Sequence, residues 1–234
     1  MEIAGSQVVY GASSEQWYEW YEPALNVPPK GVVVLVHGGF WRQRHALGQM
    51  HPLAQFFLAQ GWGVANIEYR RGSEGQWPLI IDDVKQAFAS IREKAHQQGV
   101  DKVVGIGHSV GGQLVLLSAD YQDITVALAP VTDVQRTKDE ALGENAAVDF
   151  FGDRLDEVKE EASPIHQPAA KAKTLVIHGD EDDRVPLAHS VDYVAKLNNS
   201  GASIELWELE GIDHFVIINP ACQVWPKVVE YLEQ

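Results

Sequence analysis

Short apolar runs recur along the chain with the character of strands that are buried on both faces. The clearest is Gly-Val-Val-Val-Leu-Val at residues 31–36, where no polar residue interrupts the run. Such continuous, β-branched runs are typical of parallel sheets that helices cover on both sides. Similar patterns predict strands at residues 64–68, 103–106, 123–129, 174–177 and 203–209, and loose alternation predicts a leading pair at 7–10 and 16–21.

Amphipathic stretches separate these strands. Residues 80–97 carry Ile81, Val84, Phe88 and Ile91 on one face of a helical period. Further helices are predicted at residues 52–60, 113–119, 187–198 and 220–232. Strands joined by helices of this length pair in parallel through right-handed crossovers. The sequence therefore predicts an α/β fold, with a mostly parallel central sheet and helices on both faces.

Length and composition indicate one folded unit and limit its partners. The 234 residues contain no long linker and no internal repeat, so we expect a single domain over residues 1–234. The formal net charge of −15 argues against binding to nucleic acid or to an anionic membrane. No run of about 18 apolar residues is present, so no membrane span is predicted.

Cysteine usage and the first ten residues bear on the compartment. Cys222 is the only cysteine, so no disulfide can form within the chain, which is compatible with a reducing cytosol. Residues 1–10 lack a basic segment followed by an apolar one, so no secretory signal is predicted. We therefore expect a cytoplasmic protein.

The stretch Gly-His-Ser-Val-Gly at residues 107–111 stands where a predicted strand ends and a predicted helix begins. A serine in such a sharp turn stands clear of its own backbone and can reach a carbonyl carbon, at the expense of strained dihedral angles. Gly107 and Gly111 let neighbouring backbone pass close by. This pattern makes Ser109 the candidate nucleophile.

A nucleophilic serine also needs donors for the oxyanion that forms on attack. One is the backbone N–H of Val110, the residue after the nucleophile. The other is expected from the loop after the strand at 31–36, where paired glycines let the N–H of Gly39 or Phe40 approach the substrate carbonyl. We expect Trp41, directly after this loop, and His108, directly before the nucleophile, to contact the substrate.

The general base is expected among the histidines that follow Ser109. His166 lies in an irregular segment, His189 lies inside a predicted helix, and His178 at a strand end is expected to brace its own loop. His214 lies in a short loop after the last strand, from which it can reach the serine. The orienting acid is expected after the strand at 174–177, where spacing leaves four carboxylates open: Asp180, Glu181, Asp182 and Asp183.

No cofactor or metal is expected. Histidine, cysteine and carboxylate residues do not occur at the tight spacings of metal-binding motifs, and no glycine-rich phosphate loop is present.

These motifs, in this order, resemble the α/β-hydrolase superfamily over residues 25–234. The sequence His-Gly-Gly-Phe-Trp at 37–41 is similar to the oxyanion motif of the kynurenine formamidase (arylformamidase) group, and residues 68–70 and 77–83 resemble the same group and small esterases. Residues 178–186 are similar to the acid motif of prolyl-oligopeptidase-like and dienelactone-hydrolase-like members. On that motif the acid is Asp182, and Asp213-His214-Phe215 resembles the usual surroundings of the base.

The residues and the resemblance together predict a serine hydrolase that acts on small ester or amide bonds, with aryl formamides as an extension. Ser109, His214 and Asp182 would form a catalytic triad that works through an acyl-enzyme intermediate. The alternative is a catalytically silent hydrolase fold that binds a small ligand or serves as a scaffold.

The segment at about 132–168 is expected to be a short, cap-like insertion. It is polar and irregular, with a helical piece at 153–162, and it is rich in acidic residues. A cap this short and acidic cannot enclose a long apolar tunnel. With Phe40 and Trp41 as the opposite wall, we expect a site for short acyl groups.

Overall fold

The computed structural model describes residues 5–23 and 28–234. Its eight strands run in chain order: β1 (Ser6–Val9), β2 (Trp17–Tyr21), β3 (Val32–Val36), β4 (Gly63–Ile67), β5 (Val103–His108), β6 (Ile124–Leu128), β7 (Lys173–Gly179) and β8 (Ile204–Leu209). They form one sheet in the order β1-β2-β4-β3-β5-β6-β7-β8. The two pairs β1-β2 and β2-β4 are antiparallel, and all others are parallel. The predicted, mostly parallel sheet is confirmed.

Eight α-helices accompany these strands within the described residues. They are α1 (His51–Ala59), α2 (Leu79–Gln97), α3 (Val110–Leu117), α4 (Val134–Asp139), α5 (Leu142–Phe151), α6 (Leu155–Val158), α7 (Ala188–Asn199) and α8 (Trp225–Glu233). Across residues 5–23 and 28–234, no helix is both long enough and apolar enough to cross a membrane.

Successive side chains of the central strands point to opposite faces of the sheet and pack into two separate hydrophobic cores. Val34 of β3 packs into a core that also contains Val84 of α2. Leu35 points to the other face and packs into a core with Phe57 of α1 and Trp225 of α8. Each residue of β3 is buried, as its unbroken apolar run predicted, because helices cover the sheet on both sides.

The last helix begins later than its apolar pattern suggested. We predicted helix over 220–232, whereas α8 begins at Trp225. The Asn219 side chain instead accepts a hydrogen bond from the N–H of Ala221 and forms a turn. Pro226 then occupies the first turn of the helix, a position where its missing N–H has no helical partner in any case.

The segment between β6 and β7 is more helical than its polar sequence suggested. A short helical piece at 153–162 was predicted, but α4 and α5 precede it. Four buried apolar residues in α5 recur at helical spacing and could have indicated this helix: Ala146, Ala147, Phe150 and Phe151. Acidic residues that face solvent separate them from the rest of the apolar pattern. We call residues 134–158 the cap segment.

Candidate active site

Ser109 occupies the sharp turn between β5 and α3. Its backbone angles are φ 58° and ψ −119°, a region that costs a residue with a Cβ about 1–3 kcal/mol. Although Ser109 precedes the helix, its side chain makes no capping hydrogen bond to it. The hydroxyl is therefore not engaged by the helix as an ordinary N-cap serine would be.

The glycines on either side of Ser109 are required by contact. A Cβ on Gly107 would lie 2.1 Å from the carbonyl oxygen of Gly111, and a Cβ on Gly111 would lie 2.1 Å from the carbonyl oxygen of Val36. Each atom would overlap backbone that cannot move aside. The strained turn is thus held in place by the strands and helix that surround it.

His214 and Asp182 meet across two neighbouring loops, after β8 and β7 respectively. Nδ1 of His214 lies 2.6 Å from Oδ2 of Asp182, whose side chain is fully buried. Because a carboxylate only accepts, Nδ1 donates this bond, and in a neutral imidazole Nε2 would then keep its lone pair. Burial opposes the charge on Asp182, but hydrogen bonds from His178 and His214 outweigh it and hold the pKa of Asp182 well below its ordinary value.

Further contacts orient Asp182 in its loop. Its Oδ1 accepts from the backbone N–H groups of Arg184 and Val185, each at 2.8 Å. Nε2 of His178 lies 2.8 Å from the carbonyl oxygen of Val185 and 3.2 Å from Oδ2 of Asp182, so His178 braces this loop. These bonds leave Asp182 with one orientation, toward His214.

The other three carboxylates of this loop do not reach His214 through a hydrogen bond or ion pair. Asp180 accepts from the N–H of Gly211 at 2.7 Å, and Asp183 faces solvent beside Arg184. Glu181 is exposed. Of the four candidates that spacing left open, the structure brings Asp182 to His214.

Ser109 and His214 line the same small cavity, which has a volume of about 200 Å³. Gly39, Phe40 and His108 line it as well. Val110 is the first residue of α3, so its N–H has no acceptor within the helix. The predicted oxyanion donors are therefore gathered around the serine.

Buried polar residues support the loop that carries Gly39 and Phe40. His37 stacks on Tyr69, and its Nε2 lies 3.0 Å from Oε1 of Glu68. The Tyr69 hydroxyl donates to the carbonyl oxygen of His37 at 2.6 Å, and Arg71 donates to Oε1 of Glu68 at 2.6 Å. Burial opposes the charge on Glu68, but bonding to His37 and the charge of Arg71 lower its pKa.

His108 faces both the cavity and His214. It is 1% exposed, and its Nε2 donates to the carbonyl oxygen of His214 at 2.8 Å. Burial and the neighbouring His214 lower the pKa of His108 to about 3, so its ring is neutral. Nδ1 is buried and has no partner within residues 5–23 and 28–234.

Trp41 does not line the serine cavity, contrary to expectation. It is 2% exposed, and its indole N–H donates to Oε1 of Gln113 at 2.9 Å. Its ring stacks on Phe150 and contacts the edge of Phe151, with centroids 5.6 and 5.4 Å away. The cap segment thus buries most of Trp41, and contact between Trp41 and substrate stays a prediction.

Sequence reasoning missed several residues around the cavity. Arg42, Arg44, Glu144 and Phe215 line it, together with Arg184. Arg42 and Arg44 closely follow Gly39 and Phe40, and Phe215 follows His214, so their positions beside predicted site residues could have identified them. No local sequence pattern indicated Glu144, which belongs to the distant cap segment.

In the part of the chain that the structure describes, no three His, Cys, Asp or Glu side chains are grouped to hold a metal ion.

Comparison with known proteins finds esterases among the proteins that this chain resembles. The family model described as BD-FAE matches residues 19–156. Esterase LipQ of Mycobacterium tuberculosis is 27% identical over 221 residues, which cover 83% of this chain and 52% of LipQ. Kynurenine formamidase of Danio rerio is 22% identical over 228 residues, 90% of this chain and 74% of that enzyme. The chain thus spans about half the length of LipQ.

Solved structures share the fold over almost the whole chain. A truncated carbohydrate esterase from gut microbiota superposes with a TM-score of 0.82 at 20% identity, covering 99% of this chain and 97% of that one. Esterase 2 of Thermogutta terrifontis, solved with propionate bound, gives a TM-score of 0.77 at 22% identity, with 97% and 92% coverage. At these identities the likeness establishes the fold.

Proposed function

The chain belongs to the BD-FAE family and has the α/β-hydrolase fold, and from this premise we propose that it is a serine hydrolase of small carboxylic esters. The observation that carries the proposal is the 2.6 Å contact between His214 and Asp182, beside a cavity that also contains the strained Ser109. Esterases among its relatives support the same reaction class.

In the proposed reaction, the Ser109 hydroxyl attacks the ester carbonyl and Nε2 of His214 takes its proton. The N–H groups of Val110 and of Gly39 or Phe40 stabilise the oxyanion. Collapse of the tetrahedral intermediate breaks the ester bond, and His214 returns the proton to the leaving alcohol. A water molecule, deprotonated by His214, then attacks the acyl group, and His214 returns the proton to the Ser109 oxygen as the acid leaves. Asp182 keeps the imidazole in the required tautomer and stabilises its charged form.

The small cavity supports short acyl groups as substrates. Its volume of about 200 Å³ lies below the usual range for ligand sites, which is about 300–1,000 Å³. The propionate bound to esterase 2 of Thermogutta terrifontis is consistent with this size class. We extend the proposed substrates to aryl formamides, because kynurenine formamidase of Danio rerio is a relative and the formyl group is the smallest acyl group.

A serine-directed probe tests the proposal against a catalytically silent ligand-binding fold. We expect a fluorophosphonate probe to label the purified protein at Ser109 and to abolish hydrolysis of p-nitrophenyl acetate. Ser109→Ala should lose labelling and about 10⁶-fold in turnover. A protein that is neither labelled nor active on esters and aryl formamides would refute the proposed function.

A further inference from the structure

The serine cavity is lined by positive side chains in a protein that is strongly negative. Arg42, Arg44 and Arg184 line it, and Glu144 is the carboxylate that lines it within the described residues. The chain as a whole carries 18 basic and 33 acidic residues. The side chains that line the cavity therefore include more basic than acidic groups, unlike the molecule as a whole.

Carboxylates of the protein neutralise two of these arginines. Arg42 lies 3.5 Å from Glu144 and 3.7 Å from Asp149, both in the cap segment. Arg184 lies 3.3 Å from the neighbouring Asp183. These two guanidinium groups therefore have internal partners and do not require a ligand.

Arg44 is different. All eight arginines of the chain lie within residues 5–23 and 28–234, and seven have a carboxylate of those residues within 4 Å. Arg44 has no such partner among them. A charge that lines a reactive cavity without an internal counterion is available to a ligand.

Arg44 is also held close to the oxyanion loop. Its Nε donates to Nε2 of His45 at 3.2 Å. His45 packs directly on Gly39, where a Cβ would lie 2.4 Å from the Cβ of His45. The bond uses one of five guanidinium N–H groups, so the two terminal nitrogens are left for planar recognition of an anion.

We propose that Arg44 binds a carboxylate carried by the substrate, so that the enzyme prefers esters with a second, anionic group near the scissile bond. This inference rests on the proposed function. Arginine is suited to the task because its planar fork pairs with both oxygens of a carboxylate. The negative surface elsewhere leaves the serine cavity as a local site of attraction for such a substrate.

Two matched substrate pairs test the proposal and locate the anion. Monomethyl and dimethyl succinate differ by a charge on the acyl side, whereas 4-acetoxybenzoate and its methyl ester differ by a charge on the leaving group. For each pair we measure the ratio of kcat/KM, anionic over neutral. Arg44→Gln should lower the ratio about tenfold in one pair, the size expected for a charge-assisted hydrogen bond. Raised ionic strength should lower the wild-type ratio as well, because Arg44 is exposed.

Arg92→Gln is the matched control, since Arg92 lies outside the cavity and pairs with Asp123. It should leave both ratios at their wild-type values. If Arg44→Gln and Arg92→Gln give equal ratios in both pairs, the anion site is refuted, while Ser109-dependent hydrolysis of p-nitrophenyl acetate would still support the proposed function. Absence of any Ser109-dependent hydrolysis would refute both.

Discussion

The carbonyl oxygen of His214 accepts a hydrogen bond from Nε2 of His108, 2.8 Å away, so the residue before Ser109 holds the backbone of His214. The two imidazole rings lie 4.5 Å apart. Removal of this donor would free the loop after β8 and leave a buried carbonyl without its partner.

We expect His108→Ala to lower kcat about 10²-fold with little change in KM, because a shift of the base by about 1 Å has an effect of that size. Labelling by fluorophosphonate should slow in parallel. His108→Gln, which keeps a donor of similar reach, should recover part of the loss. His96→Ala, at an exposed histidine, is the control.

The same variants test the sequence expectation that His108 contacts substrate. A rise in KM with an unchanged labelling rate would assign His108 to substrate binding. It would contradict the positioning role.

Neutralising the acid should affect activity far more than neutralising its neighbours. Asp182→Asn should lower kcat about 10⁴-fold, because the amide no longer selects the reactive tautomer of His214. Asp183→Asn should have little effect, since Asp183 faces solvent. Asp180→Asn should be mild because its remaining oxygen can still accept from Gly211. Steady-state kinetics on p-nitrophenyl acetate makes the comparison, and the opposite order would place the acid elsewhere.

Glu68 should make stability depend on pH in the acid range. Its pKa in the folded protein lies below the ordinary value, so its stabilising effect is complete above the unfolded pKa of about 4.3 and is lost as pH falls through the folded pKa. Glu68→Gln should lower the free energy of unfolding by about 3 kcal/mol at neutral pH, since Arg71 and His37 lose a buried partner. That deficit should shrink as the pH falls below 4.

Urea unfolding of both proteins at several pH values measures the difference. Glu74→Gln, at an exposed glutamate, controls for the loss of one negative charge. A deficit that stays constant from pH 7 to pH 3 would show that the Glu68 carboxylate does not stabilise the fold through its charge.

The value of kcat/KM should depend strongly on the length of the acyl chain. We expect kcat/KM to be highest for acetyl and butyryl p-nitrophenyl esters, because methylenes that do not fit in the cavity of about 200 Å³ forgo the ~0.8 kcal/mol gained per buried CH₂. Rates in Ser109→Ala provide the background for each ester. A rise in kcat/KM toward dodecanoyl or palmitoyl would reveal a long apolar tunnel.

The strand pattern and the turn at Ser109 could be predicted because both depend on neighbours along the chain. Asp182 and His214 followed from motifs at the ends of consecutive strands, which a parallel sheet brings to one edge. Trp41 could not be placed in the same way. Its burial depends on Phe150 and Phe151, more than a hundred residues later, and no local pattern around Trp41 reports that contact.

The cap segment contains a run of left-handed backbone that local sequence patterns did not predict. Ala141, Glu144 and Asn145 adopt positive φ, as does Gly143, where a Cβ would lie 2.7 Å from the Phe40 ring. Propensity disfavours this conformation for residues with a Cβ. It forms where Arg42 contacts the carbonyl oxygen of Gly143 and Glu144, which sequence spacing cannot reveal.

The strand order places Ser109 and His214 in parts of the sheet that differ in local stability. Ser109 follows a central strand, and His214 follows an edge strand. Strand β5 has a neighbour on each side, whereas β8 lies at the margin of the sheet and pairs with β7 alone among the described strands. Amide protons of β8 should therefore exchange with solvent faster than those of β5, because local opening of an edge strand requires less free energy. On mild warming the loop of His214 would detach while Ser109 keeps its turn, so catalysis should disappear, reversibly, before the fluorescence of the buried tryptophans changes.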